Sequence, residues 1–245
     1  MKTHIHPVQL LGFWNNEQQI PYKIKSYGNH RDDGELVESR PMKNYSKFIG
    51  GLNKPVITIV DFGGGGGKAY TTLKHYTNRS YDYNIVDLPG VSGVKSPEVK
   101  YFDSNEAVRT ENNVDIFFTD ATCYLTRGRS FMKNIEDACR HNALYMIFHR
   151  SIMCEGGNYD SFYTYVPAFG HRYNILKESY FLQAMKSKKY ELIEKDYTFT
   201  RPNPEERIAF AIQGSPHGEI PNDLGKIFYK QYIFKKVERA HNEDF

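Results

Sequence analysis

Five consecutive glycines, Gly63 to Gly67, follow directly on a β-branched run, Val56-Ile57-Thr58-Ile59-Val60, and an acidic residue, Asp61. The run has the composition of a buried strand. Beyond the glycines, Ala69, Leu73 and Tyr76 recur at helical spacing. Strand, acid, glycine turn and helix together open a nucleotide-type βαβ unit. Residues without side chains let a ligand lie against the backbone, and the helix start that follows offers free N–H groups. A flexible linker would not sit between a buried strand and an amphipathic helix.

Three ligand readings compete for this loop. A phosphate loop of the G-x-x-x-x-G-K-[ST] type fails, because Phe62 stands five residues before Gly67 and Ala69 follows Lys68. A dinucleotide fingerprint is met by Gly64, Gly66 and Ala69, with Asp87 about 20 residues on. A third phase, D-x-G-x-G-x-G, is met by Asp61, Gly63, Gly65 and Gly67. An acid just before the glycines suits a ligand with a positive amino group, and an acid at the next strand end suits a ribose diol.

The rest of the chain reads as alternating strands and crossovers. Tyr83 to Val86 forms a second strand ending at Asp87, and Val99 to Phe102 a third ending at Asp103-Ser104. Val114 to Phe118 forms a fourth ending at Thr119-Asp120, and Ala143 to Phe148 a fifth, interrupted by His149-Arg150. Helices are expected over Arg40 to Ile49, Ser130 to Asn142 and Lys177 to Lys188, and a long Gly-, Tyr- and Phe-rich loop over Glu155 to Arg172. Tyr190 to Thr198, Arg207 to Ile212 and Tyr229 to Val237 are further strands, the last pair antiparallel. This order argues for a doubly wound α/β sheet. Residues 1–54 form an N-terminal extension that can act as a lid, and residues 55–245 the ligand-binding domain.

Composition excludes several classes. A net charge of +3 over 245 residues, with lysines clustered only at Lys186, Lys188-Lys189 and Lys235-Lys236, is no nucleic-acid footprint. No run of 18 apolar residues exists, so no membrane-spanning segment is expected. Cys123, Cys139 and Cys154 lack metal-ligand spacing and read as reduced thiols of a cytoplasmic protein; no metal site is expected. Aromatic residues make up 15% of the chain and are assigned mainly to the core, because no RNA-recognition signature interleaves them with basic residues.

The segments V-I-T-I-V-D-F-G-G-G-G-G and N-I-V-D-L-P-G resemble motifs I and II of class I S-adenosylmethionine (SAM)-dependent methyltransferases. The order D-F-G-G-G, V-D-I-F-F-T-D-A-T-C-Y-L, a strand ending in Arg150, a helix and a Y-E-L-I strand is similar to a narrower methyltransferase family that accompanies bacterial surface-polysaccharide genes. The N-terminal G-F-W resembles that family's start. The resemblance covers roughly residues 10 to 238 and is loose over Glu155 to Arg172 and Arg201 to Leu224. It implies a Rossmann-like, mostly parallel seven-stranded sheet with a reversed C-terminal strand, SAM as cofactor, and a small-molecule or glycan acceptor. It further implies that Gly63, Gly65 and Gly67 form the floor under the methionine moiety. Asp61 would reach the ammonium directly or through water, and Asp87 would accept both ribose hydroxyls. Asp103 and Ser104 would border the adenine, and Thr119 and Asp120 the methyl group.

A sulfonium activates its own methyl group, so such a protein chiefly aligns the acceptor. An oxygen nucleophile of high pKa also needs a base, for which His149 and His171 are the candidates. Arg150 suits an anionic acceptor group through its planar fork, while Tyr159, Tyr163, Tyr165 and Phe169 can wall the pocket. A nicotinamide-dependent oxidoreductase and a non-catalytic SAM-binding domain are the alternatives on the same fold.

Overall fold

The computed structural model describes residues 40–65, 67–87, 97–102, 107–110, 112–119, 135–136, 138–156, 161–166, 171–197 and 227–237. Helix α1 (Arg40–Gly50) leads into strand β1 (Val56–Phe62), and α2 (Lys68–Tyr76) follows the glycine turn. Strands β2 (Ser80–Val86), β3 (Val99–Phe102), β4 (Ile116–Thr119) and β5 (Tyr145–Cys154) come next. The order closes with β6 (Ser161–Val166), β7 (His171–Lys177), α3 (Glu178–Ser187), β8 (Tyr190–Tyr197) and β9 (Ile227–Lys236). Between β4 and β5, residues 135, 136, 138 and 139 are helical.

The nine strands among the described residues belong to one sheet, with β3-β2-β1-β4-β5 running parallel. β9 lies antiparallel on β5 along nearly its whole length, and β8 lies antiparallel on β9. Seven strands in the order 3-2-1-4-5-9-8 thus make the mostly parallel sheet with one reversed strand. Period-2 alternation divides their side chains between two cores. Val60, Phe117, Met146, Phe148, Tyr232 and Phe234 face α3, while Ile57, Ile59, Tyr83, Ile85, Phe118, Ile147 and Ile233 face α1 and α2. Phe181 of α3 packs edge-on against Phe148, Tyr232 and Phe234 at centroid distances of 5.1, 5.2 and 5.4 Å. On the opposite face, Tyr45 of α1 tilts over Phe118 at 4.4 Å. A helix upstream of the first strand therefore contributes fully buried side chains, Tyr45 and Ile49, to the sheet's own core.

Two expectations are corrected. The stretch Glu155 to Arg172 is not one long loop: β6 and β7 form an antiparallel pair within it, from Ser161↔Leu176 to Val166↔His171. The fifth strand does not stop at Phe148 but runs through His149 and Arg150 to Cys154. The polar pair that reads as an interruption is a bulge. Phe148 pairs with Tyr232 and Ser151 with Lys230, leaving His149 and Arg150 opposite Gln231 alone. The extra length of β5 has a use. β4 pairs with its first half, through Phe148, and β7 takes up the same edge at Met153 and Cys154. The β6–β7 hairpin thus continues the line of β4 beyond its carboxyl end. The segment Arg207 to Ile212 lies outside the described residues.

Candidate functional site

The carboxyl ends of β1, β2 and β4 meet around the glycine turn. Gly63, Gly65 and Gly67 have φ of 80°, 56° and 91°, the left-handed region that a side chain disfavours. These are the alternate positions of the D-x-G-x-G-x-G phase; Gly64, the first member of the dinucleotide phase, is not among the left-handed glycines. Gly64 requires glycine for another reason. A Cβ there would lie 2.6 Å from Asp61 Oδ2 and 3.1 Å from Oδ1, so the backbone presses on the carboxylate itself. The turn is tied down by Gly63 N–H donating to the Val86 carbonyl at 2.7 Å and Gly67 N–H to the Gly64 carbonyl at 3.1 Å. Gly67 then accepts from Thr71 N–H at 3.0 Å and starts α2 without a side-chain cap.

Asp61 is only 1% exposed, and its Oδ2 accepts a hydrogen bond from the Tyr83 hydroxyl at 2.8 Å. Burial pushes its carboxyl up to about 7; the Tyr83 bond opposes that rise and the nearby Asp87 carboxylate adds to it. Among the described residues no cation pairs with it. Asp87 stands one residue past β2, and its Oδ2 accepts the Gly65 N–H at 2.9 Å. Its backbone N–H donates to the Phe102 carbonyl at 3.1 Å, anchoring it to the end of β3. Thr119 ends β4 and donates its hydroxyl to the Phe62 carbonyl at 3.0 Å, which binds the β4 end to the turn. Two carboxylates, three left-handed glycines and a hydroxyl therefore converge at one end of the sheet.

His149 projects from the bulge onto the face of α1 and α2, its ring 6.1 Å from that of Phe118. It is 3% exposed, and burial lowers its imidazole to about 4. It is neutral at physiological pH and a weak base. His171 opens β7 at the end farthest from the pairing with β5, so the structure does not join it to His149 on adjacent ladder positions. Arg150 lies in the bulge; nothing further is described of its side chain or of that of His171. Asp103, Ser104, Asp120, Tyr159, Phe169 and residues 1–39 of the extension lie outside the described residues.

Sequence reasoning missed Tyr83, read there only as strand, and Gln231, which opposes the bulge. Gln231 is 2% exposed, and its Oε1 is a buried acceptor without a hydrogen bond among the described residues. The polar pair Lys230-Gln231, set within the apolar β9 run I-F-Y-K-Q-Y-I-F, is the signal that pointed to it.

No protein-family model matches the sequence, and no curated protein matches it either. Its fold is shared with solved structures of low identity. One is the Burkholderia thailandensis 1,6-didemethyltoxoflavin-N1-methyltransferase with bound 1,6-didemethyltoxoflavin and S-adenosylhomocysteine. It has a TM-score of 0.57 at 10% identity, over 97% of this chain and 94% of that one. Another is a methyltransferase bound to the Haloferax volcanii Trm112 activator, with a TM-score of 0.53 at 10% identity over 91% of this chain and 99% of that one. A third, described as a pericyclic reaction enzyme, has a TM-score of 0.56 at 11% identity over 91% of this chain and 54% of its own. The chain therefore has the Rossmann-like fold of SAM-dependent methyltransferases.

Proposed function

We propose that the chain is a SAM-dependent methyltransferase that transfers a methyl group to a small-molecule or glycan acceptor. The observation that carries this reading is the phase of the glycine turn. Left-handed Gly63, Gly65 and Gly67 sit between buried Asp61 and half-buried Asp87 at the carboxyl ends of adjacent parallel strands. Ligands of open α/β sheets bind at those ends. The turn fits the cofactor: three left-handed glycines make a floor free of side chains, and a buried carboxylate lacking a described cation suits an ammonium. Asp61 would hold that amino group and Asp87 the ribose hydroxyls, through the oxygen not engaged by Gly65 N–H. Bound there, SAM supplies an already activated methyl group.

The chain's own contribution is alignment and exclusion of water. His149, neutral and buried, serves better as a hydrogen-bond acceptor than as a strong base, because a base of such low pKa barely drives removal of a sugar-hydroxyl proton. This favours acceptors whose nucleophile needs little deprotonation, such as an amine, a carboxylate or an acidic hydroxyl. Arg150, beside it in the bulge, would bind an anionic group of that acceptor. His171, the first residue of β7, would be the other candidate base. A glycan of surface-polysaccharide assembly is the acceptor that the motif order favours. The B. thailandensis structure, with its heterocyclic ligand and S-adenosylhomocysteine, supports a small molecule.

The antiparallel β9 favours this reading over a nicotinamide-dependent oxidoreductase. The pericyclic reaction enzyme gives weight to a second reading, since it shares the fold and its description names another reaction class. Calorimetry with S-adenosylhomocysteine tests the cofactor. Asp87→Ala is expected to weaken binding roughly 10- to 100-fold, the range for a charge-assisted hydrogen-bond pair. Wild-type protein that does not bind, or full affinity in the variant, would overturn the assignment.

A further inference from the structure

The hydroxyl of Tyr83 has no packing role that a phenylalanine would not fill. Its ring stacks edge-on against Tyr70 at 5.1 Å and is buried in the core under α1 and α2. A hydroxyl at such a position costs stability unless it finds a partner, and the one it finds is Asp61 Oδ2 at 2.8 Å. Gly64 also approaches so closely that a methyl group would strike both carboxylate oxygens. Tyr45 of α1, fully buried, lies close enough to interact with both Tyr83 and Asp61, although its hydroxyl makes no hydrogen bond of good geometry among the described residues. The carboxylate is thus bracketed by a phenol and a backbone, with no described cation to neutralise it.

We propose that Tyr83 is a positioning residue for the cofactor's amino group, acting through Asp61, and that Asp61 releases a proton to solvent when that group binds. The inference rests on the cofactor reading above. Tyr83 fixes Oδ2, which leaves Oδ1 as the acceptor for the ammonium. In the balanced step, the neutral carboxylic acid and the incoming ammonium give a carboxylate–ammonium pair and one proton in bulk water. The groups that face Asp61 are Tyr83 on β2, Asp87 just beyond it and Tyr45 on α1. β4 presents Phe118 at the paired position, and behind it His149 on β5 is neutral. Tyr70 of α2 is engaged by Glu98 instead. None of these supplies a positive charge at neutral pH, and burial keeps the acid form of Asp61 populated near pH 7.

The test is calorimetry of S-adenosylhomocysteine binding from pH 5.5 to 8.5, in buffer pairs of different ionisation enthalpy. Wild-type affinity is expected to fall about tenfold from pH 8 to pH 6, with release of roughly half a proton near pH 7. Tyr83→Phe removes the donor that favours the carboxylate. Its profile should shift to higher pH, with affinity reduced severalfold at pH 7 and less at pH 8.5. Asp61→Asn should bind weakly with no pH dependence and no proton release. A merely structural role for Tyr83 would lower affinity equally at every pH. Thermal melts establish that each variant is folded; if Tyr83→Phe is not, the wild-type proton count and Asp61→Asn decide alone. Binding without proton release, or superimposable profiles for wild type and a folded Tyr83→Phe, would overturn the inference and leave the cofactor assignment standing. No binding by wild type at any pH would overturn both.

Discussion

The paired strands β1 and β4 bury one carboxylate near each end, and the two are treated in opposite ways. At the amino end, Asp115 is 3% exposed but fully compensated: Lys54 Nζ reaches Oδ1 at 2.5 Å and the Thr58 N–H donates to Oδ2 at 3.0 Å. At the carboxyl end, Asp61 has a phenol and a second carboxylate for company. One end is built for stability and the other holds an electrostatic deficit that a ligand can fill. Buried charge left unpaired by the protein itself is the usual mark of a site.

That contrast can be broken by substitution, and the largest effect belongs to Asp61. Its folded-state carboxyl lies above the ordinary value, so the folded chain binds more protons than the unfolded one between about pH 4 and pH 7. Stability therefore falls as pH rises through that window, and the full penalty, about 4 kcal/mol, is present above it. Asp61→Asn is expected to melt at a higher temperature than wild type at pH 8, with the difference shrinking toward pH 4, while S-adenosylhomocysteine binding drops about 100-fold. Scanning calorimetry and titration of the same samples check both halves. A variant destabilised at pH 8 would erase the contrast.

Asp115→Ala should do the reverse. It orphans the Thr58 N–H inside the sheet and is expected to lose about 1–3 kcal/mol of stability, read by urea denaturation, with ligand affinity unchanged once folded. The smallest effect is that of Lys54→Ala. The lysine is 45% exposed, so solvent screens the pair, and a loss below about 1 kcal/mol is expected in the same measurement. A loss as large as that of Asp115→Ala would mean that the ion pair, not the backbone bond, holds the amino end.

The sequence made Asp61, Asp87 and the glycine phase legible because all three depend on local order: a strand, its end, and a turn only glycine can make. Tyr83 was not legible as a functional residue. In a strand it reads as one more aromatic, and its meaning comes from β1 lying beside it in register, Asp61 opposite Ile85. The length of β5 was hidden for a related reason, since a bulge places polar residues where alternation predicts a break. The β6–β7 hairpin was hidden because its strands pair chiefly with each other and only at one end with the sheet. Glu178 was likewise silent. Burial alone would raise its carboxyl, but the Tyr232 hydroxyl at 2.8 Å, Lys230 at 3.3 Å and Lys195 at 3.4 Å outweigh that and hold it below the ordinary value. All three partners come from strands far along the chain.

The placement of β9 bears on the order in which the molecule can assemble. Strands β3, β2, β1 and β4, which carry both carboxylates and the glycine turn, have all been synthesised by Thr119. Until β9 follows, one edge of β5 is bare and β8 has no described neighbour in the sheet. Phe181 likewise lacks Tyr232 and Phe234 to pack on. A nascent chain halted before β9 would thus expose two sticky strand edges beside a nearly complete ligand cradle, and it is in that interval that a chaperone has the most to protect.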